Sequence, residues 1–197
     1  VDALLDVAAR PWHPPRSGPL SGVPMERDLV LVTAHRRESF GRPLERICEA
    51  LRTIAEQGEG AVQIVYPVHP NPNVHEPVTR LLGAVPHVTL LPPLDYLHLV
   101  QLMKRSKLVL TDSGGIQEEA PSLDVPVLVL RQVTERPEAV EAGAARVVGT
   151  QVDRIVHETF RLLCDEEAYQ AMARAENPFG DGHAAKRIVE ALLEWAD

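Results

Sequence analysis

Aromatic side chains are scarce, with Trp, Tyr and Phe together making up 4% of the 197 residues. That disfavours a stacking platform for single-stranded nucleic acid, which depends on aromatic faces. Positive charge is also short. Lys and Arg number 20 against 28 Asp and Glu, a formal net charge of −8. Holding a phosphate backbone would need a local basic patch, whereas one pocket for a small anion is compatible with an acidic chain. No apolar run approaches the roughly 20 residues of a membrane-spanning helix, and no basic start with an apolar stretch marks a secretory signal. The two cysteines, Cys48 and Cys164, lie far apart and form no metal or redox motif. Both are expected to pack as small hydrophobes. These absences point to a soluble, cytoplasmic protein with neither nucleic acid nor membrane as a partner. The length suits one domain that buries about 70% of its unfolded surface.

What the chain does contain is a regular alternation. Residues 1–10 read as a short helix with Ala3, Leu4 and Val7 on one side. Four prolines within residues 11–19 then forbid helix, which makes this stretch a linker and sets the helix apart as belonging elsewhere. From Arg27 onward, apolar runs at 28–33, 61–66, 87–91, 107–111 and 125–130 read as buried strands, with a short one at 146–148. Between them, apolar residues at helical spacing mark helices: Leu44 to Ala55, Val74 to Leu82, Tyr96 to Met103, a start at Ile116, and Val152 to Leu163. Two more helices follow near 166–175 and 183–196. Continuous apolar strands alternating with amphipathic helices predict a doubly wound α/β fold, a parallel sheet covered on both faces. Ligands of such sheets sit beyond the carboxyl ends of the strands, so the loops there are the candidates for function.

Four of those loops carry chemistry. In Thr111-Asp112-Ser113-Gly114-Gly115-Ile116, a strand ends, two glycines follow and a helix begins. Glycine lets backbone N–H groups approach a ligand closely, and a helix start suits phosphate. Glu119, one turn into that helix, would accept hydrogen bonds from sugar hydroxyls. A capped tight turn with a solvated acidic helix would give the same pattern. His35-Arg36-Arg37-Glu38-Ser39 follows the first strand. Its histidine can move a proton near neutral pH, and its arginines can neutralise phosphate or simply decorate a charged surface loop. Thr134-Glu135-Arg136-Pro137-Glu138 places Arg136 just before a helix-starting proline. The prolines of Pro67-Val68-His69-Pro70-Asn71-Pro72 make a stiff loop that holds His69. The remaining histidines form no metal-ligand cluster.

Taken together, HRRESFGRPLERI (35–47), YPVHPNPNV (66–74), LTDSGGIQEEAPSL (110–123), VPVLVLRQVTERPEA (125–139) and NPFGDGHAAKRI (177–188) occur in order. They closely resemble the non-hydrolysing UDP-N-acetylglucosamine 2-epimerases from about Leu29 to the end. The resemblance implies a glycosyltransferase-B-like pair of Rossmann-like domains with the active site in the cleft between them. Residues 27–197 would be the second, UDP-sugar-binding domain, and residues 1–26 a hinge helix and proline-rich linker from an amino-terminal domain absent from this chain. The implied reaction interconverts UDP-GlcNAc and UDP-ManNAc by elimination and re-addition of UDP, with neither cofactor nor metal. Ser113, Gly114 and Gly115 match the diphosphate turn, Glu119 the ribose-binding glutamate, Arg136 the arginine that binds UDP, and His35 the active-site histidine. Arg36 and His69 are possible regulatory or secondary residues, since the His69 motif lies near a regulatory UDP-GlcNAc site in bacterial members. Leu99 stands where several relatives carry an aromatic residue near the uracil.

The resemblance also implies a homodimer serving cell-envelope polysaccharide synthesis. The family's acidic catalytic residues belong to the other domain, so this chain alone is expected to be inactive. The helices at 1–10 and 183–196 are expected to present apolar faces meant for that domain. The nucleotide-sugar domain of a glycosyltransferase and a non-catalytic UDP-sugar-binding module are the alternative readings.

Overall fold

The computed structural model describes residues 1–13 and 17–196. Pro14, Pro15 and Arg16 of the expected linker, and Asp197, lie outside the described residues. Six strands form one parallel sheet: β1 (Asp28–Thr33), β2 (Val62–Pro67), β3 (Val88–Leu91), β4 (Leu108–Thr111), β5 (Val127–Val129) and β6 (Ala145–Val147). Their order is β3-β2-β1-β4-β5-β6, and every neighbouring pair is parallel. The doubly wound α/β fold is thus observed, and strand positions agree with the sequence reading to within two residues at each end.

The continuous apolar strands have a direct cause. In β1, Val30 and Val32 face one core, whereas Leu29 and Leu31 face the other. The first core is closed by α2 (Arg42–Gln57), α3 (Pro72–Leu82) and α7 (Val152–Cys164). The second is closed by α4 (Tyr96–Arg105), α5 (Gly114–Glu119) and α6 (Pro137–Glu141). A strand buried on both sides has no polar face to show, so its sequence cannot alternate. The chain winds outward from β1 through β2 to β3, returns to β4 beside β1, and winds outward again to β6. The loops leaving β1 and β4 therefore diverge and open a crevice at the carboxyl edge.

Three expectations are corrected. The amino-terminal helix α1 (Asp2–Ala9) is docked on this domain and does not stand apart from it. Leu4, at 1% exposure, and Ala8 pack on Val100 of α4. The Gln101 amide donates to the Val7 carbonyl at 3.1 Å, and Lys104 Nζ donates to the Ala8 carbonyl at 2.9 Å. These bonds satisfy carbonyls that a helix end leaves without partners. Nor is the following segment a free tether, because Leu20 and Val23 are buried in the second core. Finally, Cys164 is exposed at the end of α7, whereas Cys48 is buried as expected.

The last two helices are α8 (Glu166–Ala173) and α9 (Ala184–Ala196). Helix α9 does present an apolar face, since Ile188, Val189, Leu192, Leu193 and Trp195 are 55–87% exposed. None of the described helices is long and apolar enough to cross a membrane.

Leu4→Ala is expected to cost about 2–5 kcal/mol, as for a leucine removed from a packed core. Urea unfolding followed by circular dichroism checks this. A midpoint unchanged from the parent would mean that α1 lies outside the cooperative unit.

Candidate functional site

At the carboxyl edge, β1 and β4 end side by side, with Thr33 paired in register with Thr111 and their hydroxyl oxygens 2.6 Å apart. The residue directly after β4, Asp112, is fully buried. Its Oδ2 accepts the backbone N–H of His35 at 2.9 Å, the N–H of Arg36 at 2.8 Å and the hydroxyl of Ser39 at 3.2 Å. One carboxylate thus fixes the loop after β1 against the loop after β4. The Tyr66 hydroxyl in β2 donates to the Ala34 carbonyl and holds the same loop from its other side. In the sequence, Asp112 reads only as the residue that follows a strand. The available signal is a carboxylate directly after a fully buried strand, where an acidic group needs donors.

The glycine turn follows. The Ser113 N–H donates to Thr111 Oγ1 at 2.9 Å, and α5 begins at Gly114. A side chain at Gly114 would stand 3.5 Å from the Arg36 guanidinium and 3.9 Å from that of Arg136, while nothing lies within 4 Å of one at Gly115. Two cations from different loops therefore flank the turn, and the space in front of Gly115 is open. Pro137, with its fixed φ, starts α6 and leaves Arg136 at the cap of that helix. The Arg136 guanidinium pairs with Glu118 and donates to the Glu135 carbonyl at 3.0 Å. The exposed Arg37 lies in a short 3-10 turn.

A second tie joins the loop after β5 to the loop after β1. Arg131, with its side chain 7% exposed, pairs with Glu38 on one side and Glu135 on the other. These partners raise the proton affinity of Arg131, and the arginine holds the Glu135 carboxyl below its ordinary range. The Thr134 hydroxyl donates to the Gln117 side-chain oxygen and its oxygen accepts the Arg136 N–H at 3.0 Å. Arg131 and Gln117 carry no distinguishing signal in the sequence.

Glu119 and His35 occupy different neighbourhoods of this edge. The half-buried Glu119 carboxylate accepts the Tyr96 hydroxyl at 3.0 Å. Burial raises its pKa, and the tyrosine bond opposes that shift. Tyr96, whose spacing places it on the apolar face of α4, is instead exposed, and burial with the neighbouring carboxylate pushes its hydroxyl up to about 12. His35 stacks on His69, with ring centres 5.3 Å apart and planes 8° from parallel. Leu99, Pro93, Leu94 and Val68 complete an apolar hollow of about 150 Å³ around this pair. Burial lowers the pKa of His35, with Asp112 opposing and His69 and Arg36 reinforcing. That direction favours the neutral ring, the form that can accept a proton. The edge as a whole can hold a doubly charged anion between two guanidiniums and offer a carboxylate to hydroxyl donors and a neutral imidazole to a proton.

A family model described as UDP-N-acetylglucosamine 2-epimerase matches residues 1–193. The chain is 62% identical over 167 residues to the UDP-N-acetylglucosamine 2-epimerase of Escherichia coli K12, covering 85% of this chain and 44% of that protein. The structure of UDP-GlcNAc 2-epimerase from Neisseria meningitidis bound to UDP-GlcNAc superposes with a TM-score of 0.81 at 46% identity, over 85% of this chain and 45% of that one. The enzyme from Methanocaldococcus jannaschii, in complex with UDP-GlcNAc and UDP, gives 0.72 at 32% identity, over 86% and 46%. The chain spans about half the length of the curated relatives it matches.

Asp112→Ala is expected to destabilise the chain by at least about 2 kcal/mol, because it leaves several donors without their acceptor. Hydrogen exchange should quicken most at the amides of His35 and Arg36. Uniform quickening across the sheet, with these two amides no more affected than the rest, would refute the carboxylate's local hold on the loop.

Proposed function

The chain belongs to the UDP-N-acetylglucosamine 2-epimerase family, and from that premise we propose that its strand-end edge is the UDP-holding half of an active site that interconverts UDP-GlcNAc and UDP-ManNAc. The observation that carries the reading is the pair of guanidiniums, Arg36 and Arg136, on either side of a glycine turn with open space before Gly115. Charge-assisted bonds from arginine to phosphate are among the stronger hydrogen bonds. In this reading the diphosphate lies on Ser113, Gly114 and Gly115. Glu119 exchanges its tyrosine partner for the ribose hydroxyls.

The chemistry follows the family's elimination and re-addition. A proton leaves C2 of the sugar as the C1–O bond to UDP breaks, giving a glycal-type intermediate. UDP then adds back to C1 while a proton returns to the opposite face of C2. The two cations stabilise charge on the departing UDP, and a preorganised site for developing charge is usually the largest catalytic contribution. His35 is the proton-moving group on this side of the cleft. The acidic residues that act at C2 come from the half of the relatives' length that this chain does not match. Residues 27–197 are the nucleotide domain, and α1, docked on α4, leads from it toward that other half. His69, stacked on His35, marks the side on which a regulatory UDP-GlcNAc would lie. A cytoplasmic homodimer supplying cell-envelope polysaccharide precursors completes the reading, supported by the family resemblance.

Two measurements test it. Mixing this chain with a separately produced amino-terminal half of the Escherichia coli relative, in the presence of UDP-GlcNAc, is expected to yield UDP-ManNAc, which neither part yields alone. Nucleotide binding without any product in the mixture would favour a binding module. Gly115→Val should keep native circular dichroism, because its side chain enters open space, yet calorimetry should find UDP binding gone. Unchanged UDP affinity would remove the diphosphate from this turn.

A further inference from the structure

We propose that Asp112 is a positioning residue that sets the tautomer of His35, holding the ring proton on Nδ1 and leaving Nε2 as the proton acceptor. The idea rests on the reading of His35 as the proton-moving group of this edge and adds what orients it.

The starting point is an unsatisfied atom. Asp112 is fully buried, and while its Oδ2 accepts three donors, its Oδ1 has none. A buried carboxylate oxygen without a donor is costly and calls for a partner. The nearby candidate is Nδ1 of His35, 3.7 Å from Oδ1. The His35 backbone N–H is already bonded to the other oxygen of the same carboxylate at 2.9 Å. Backbone and carboxylate are therefore fixed relative to each other, and what separates the two atoms from a hydrogen bond of about 2.8 Å is a gap of about 1 Å. Such contacts are often loose without substrate and tighten when it binds.

The surroundings leave this role to Asp112. The loop after β2 brings the stacked His69 ring, and the loop after β1 brings Arg36, both cations or potential cations. The loop after β3 and helix α4 bring Pro93, Leu94 and Leu99, which carry no charge. Among the described residues, Asp112 is the anion that faces the ring. His69 cannot supply the missing donor through Nδ1, because that nitrogen accepts the Asn71 N–H at 3.1 Å. A neutral His69 thus carries its proton on Nε2, and the two stacked rings hold opposite tautomers. A buried carboxylate that orients an imidazole and supports its charged form is a recurring catalytic arrangement. Here one residue both ties down the loop and aims the ring on it.

The chain itself serves for the test, labelled with ¹⁵N-histidine and with His35→Gln used to assign the His35 signals. Above the His35 titration, long-range ¹⁵N–¹H spectra are expected to show the Nδ1–H tautomer. In Asp112→Asn, the amide oxygen can still accept the loop N–H groups, but its NH₂ would face Nδ1. The tautomer should then switch to Nε2–H, and the His35 midpoint should fall by about one pH unit as the negative neighbour is lost. Loss of the Asp112 charge lowers the midpoint whether or not the carboxylate holds Nδ1–H, so the tautomer is the readout that separates a positioning role from a merely structural one. An Nε2–H tautomer in the parent chain, or an Asn variant whose tautomer is unaltered, overturns the proposal. If Asp112→Asn fails to fold, the parent spectrum decides alone. UDP calorimetry on the parent chain reads the nucleotide assignment separately, so loss of one conclusion is distinguishable from loss of the other.

Discussion

The Asp112 carboxylate is the constraint on which the site depends. It lies one residue beyond β4, fully buried, and accepts N–H groups from the loop beyond β1. The parallel sheet brings β1 and β4 together, but a sheet fixes only strands; loops beyond their ends diverge at the point where the winding reverses. A charged acceptor there restores order without closing the crevice. Hydrogen bonds to charged groups are worth more than neutral ones, which suits a contact that must hold two loops at once. His35, Arg36 and the glycine turn inherit their mutual placement from it.

Around this anchor, an acidic chain assembles a cationic turn. The chain carries a net charge of −8, yet Arg36 and Arg136 both stand beside Gly114. Their environments differ from that of Arg131, whose buried side chain is paired on two sides with Glu38 and Glu135. Removing one partner of a buried pair is costly, so Arg131 acts as a fixed tie between loops. Arg136 and Glu118 are each about one-third exposed, and ion pairs open to solvent contribute little. In the proposed reading, an incoming phosphate therefore draws on Arg136 without dismantling the loop that carries it.

Much of this was legible in the sequence because burial writes itself into composition. Strands covered on both faces read as unbroken apolar runs, and Leu44 to Ala55 repeat at helical spacing since one face of α2 lies on the core. The glycine turn and the HRRE and TERPE loops were legible as motifs. Less legible were features decided by tertiary neighbours. Helix α1 looks detached because prolines follow it, yet its apolar side has a receptor on α4 about ninety residues away in sequence. Tyr96 sits on an apolar spacing but turns its hydroxyl to Glu119. Cys164, at the last position of α7, has no more helix to cover it. Asp112 and Arg131 read as ordinary charged residues just past a strand, and only their burial sets them apart.

The topology also accounts for how the proposed nucleotide binding and proton transfer would share one edge. The proposed elimination needs two events together: charge must be stabilised on the departing UDP, and a proton must move at the adjacent carbon. On the proposed reading the first task falls to the turn after β4, the second to the loop after β1. These strands are direct neighbours, about 4.8 Å apart as in any sheet, and Asp112 joins the loops that extend them. A longer connection would let the two groups drift relative to each other. Misplacement by about 1 Å can cost a hundredfold in rate. Placing both tasks on adjacent strands at the reversal point makes their spacing a property of the sheet rather than of flexible side chains.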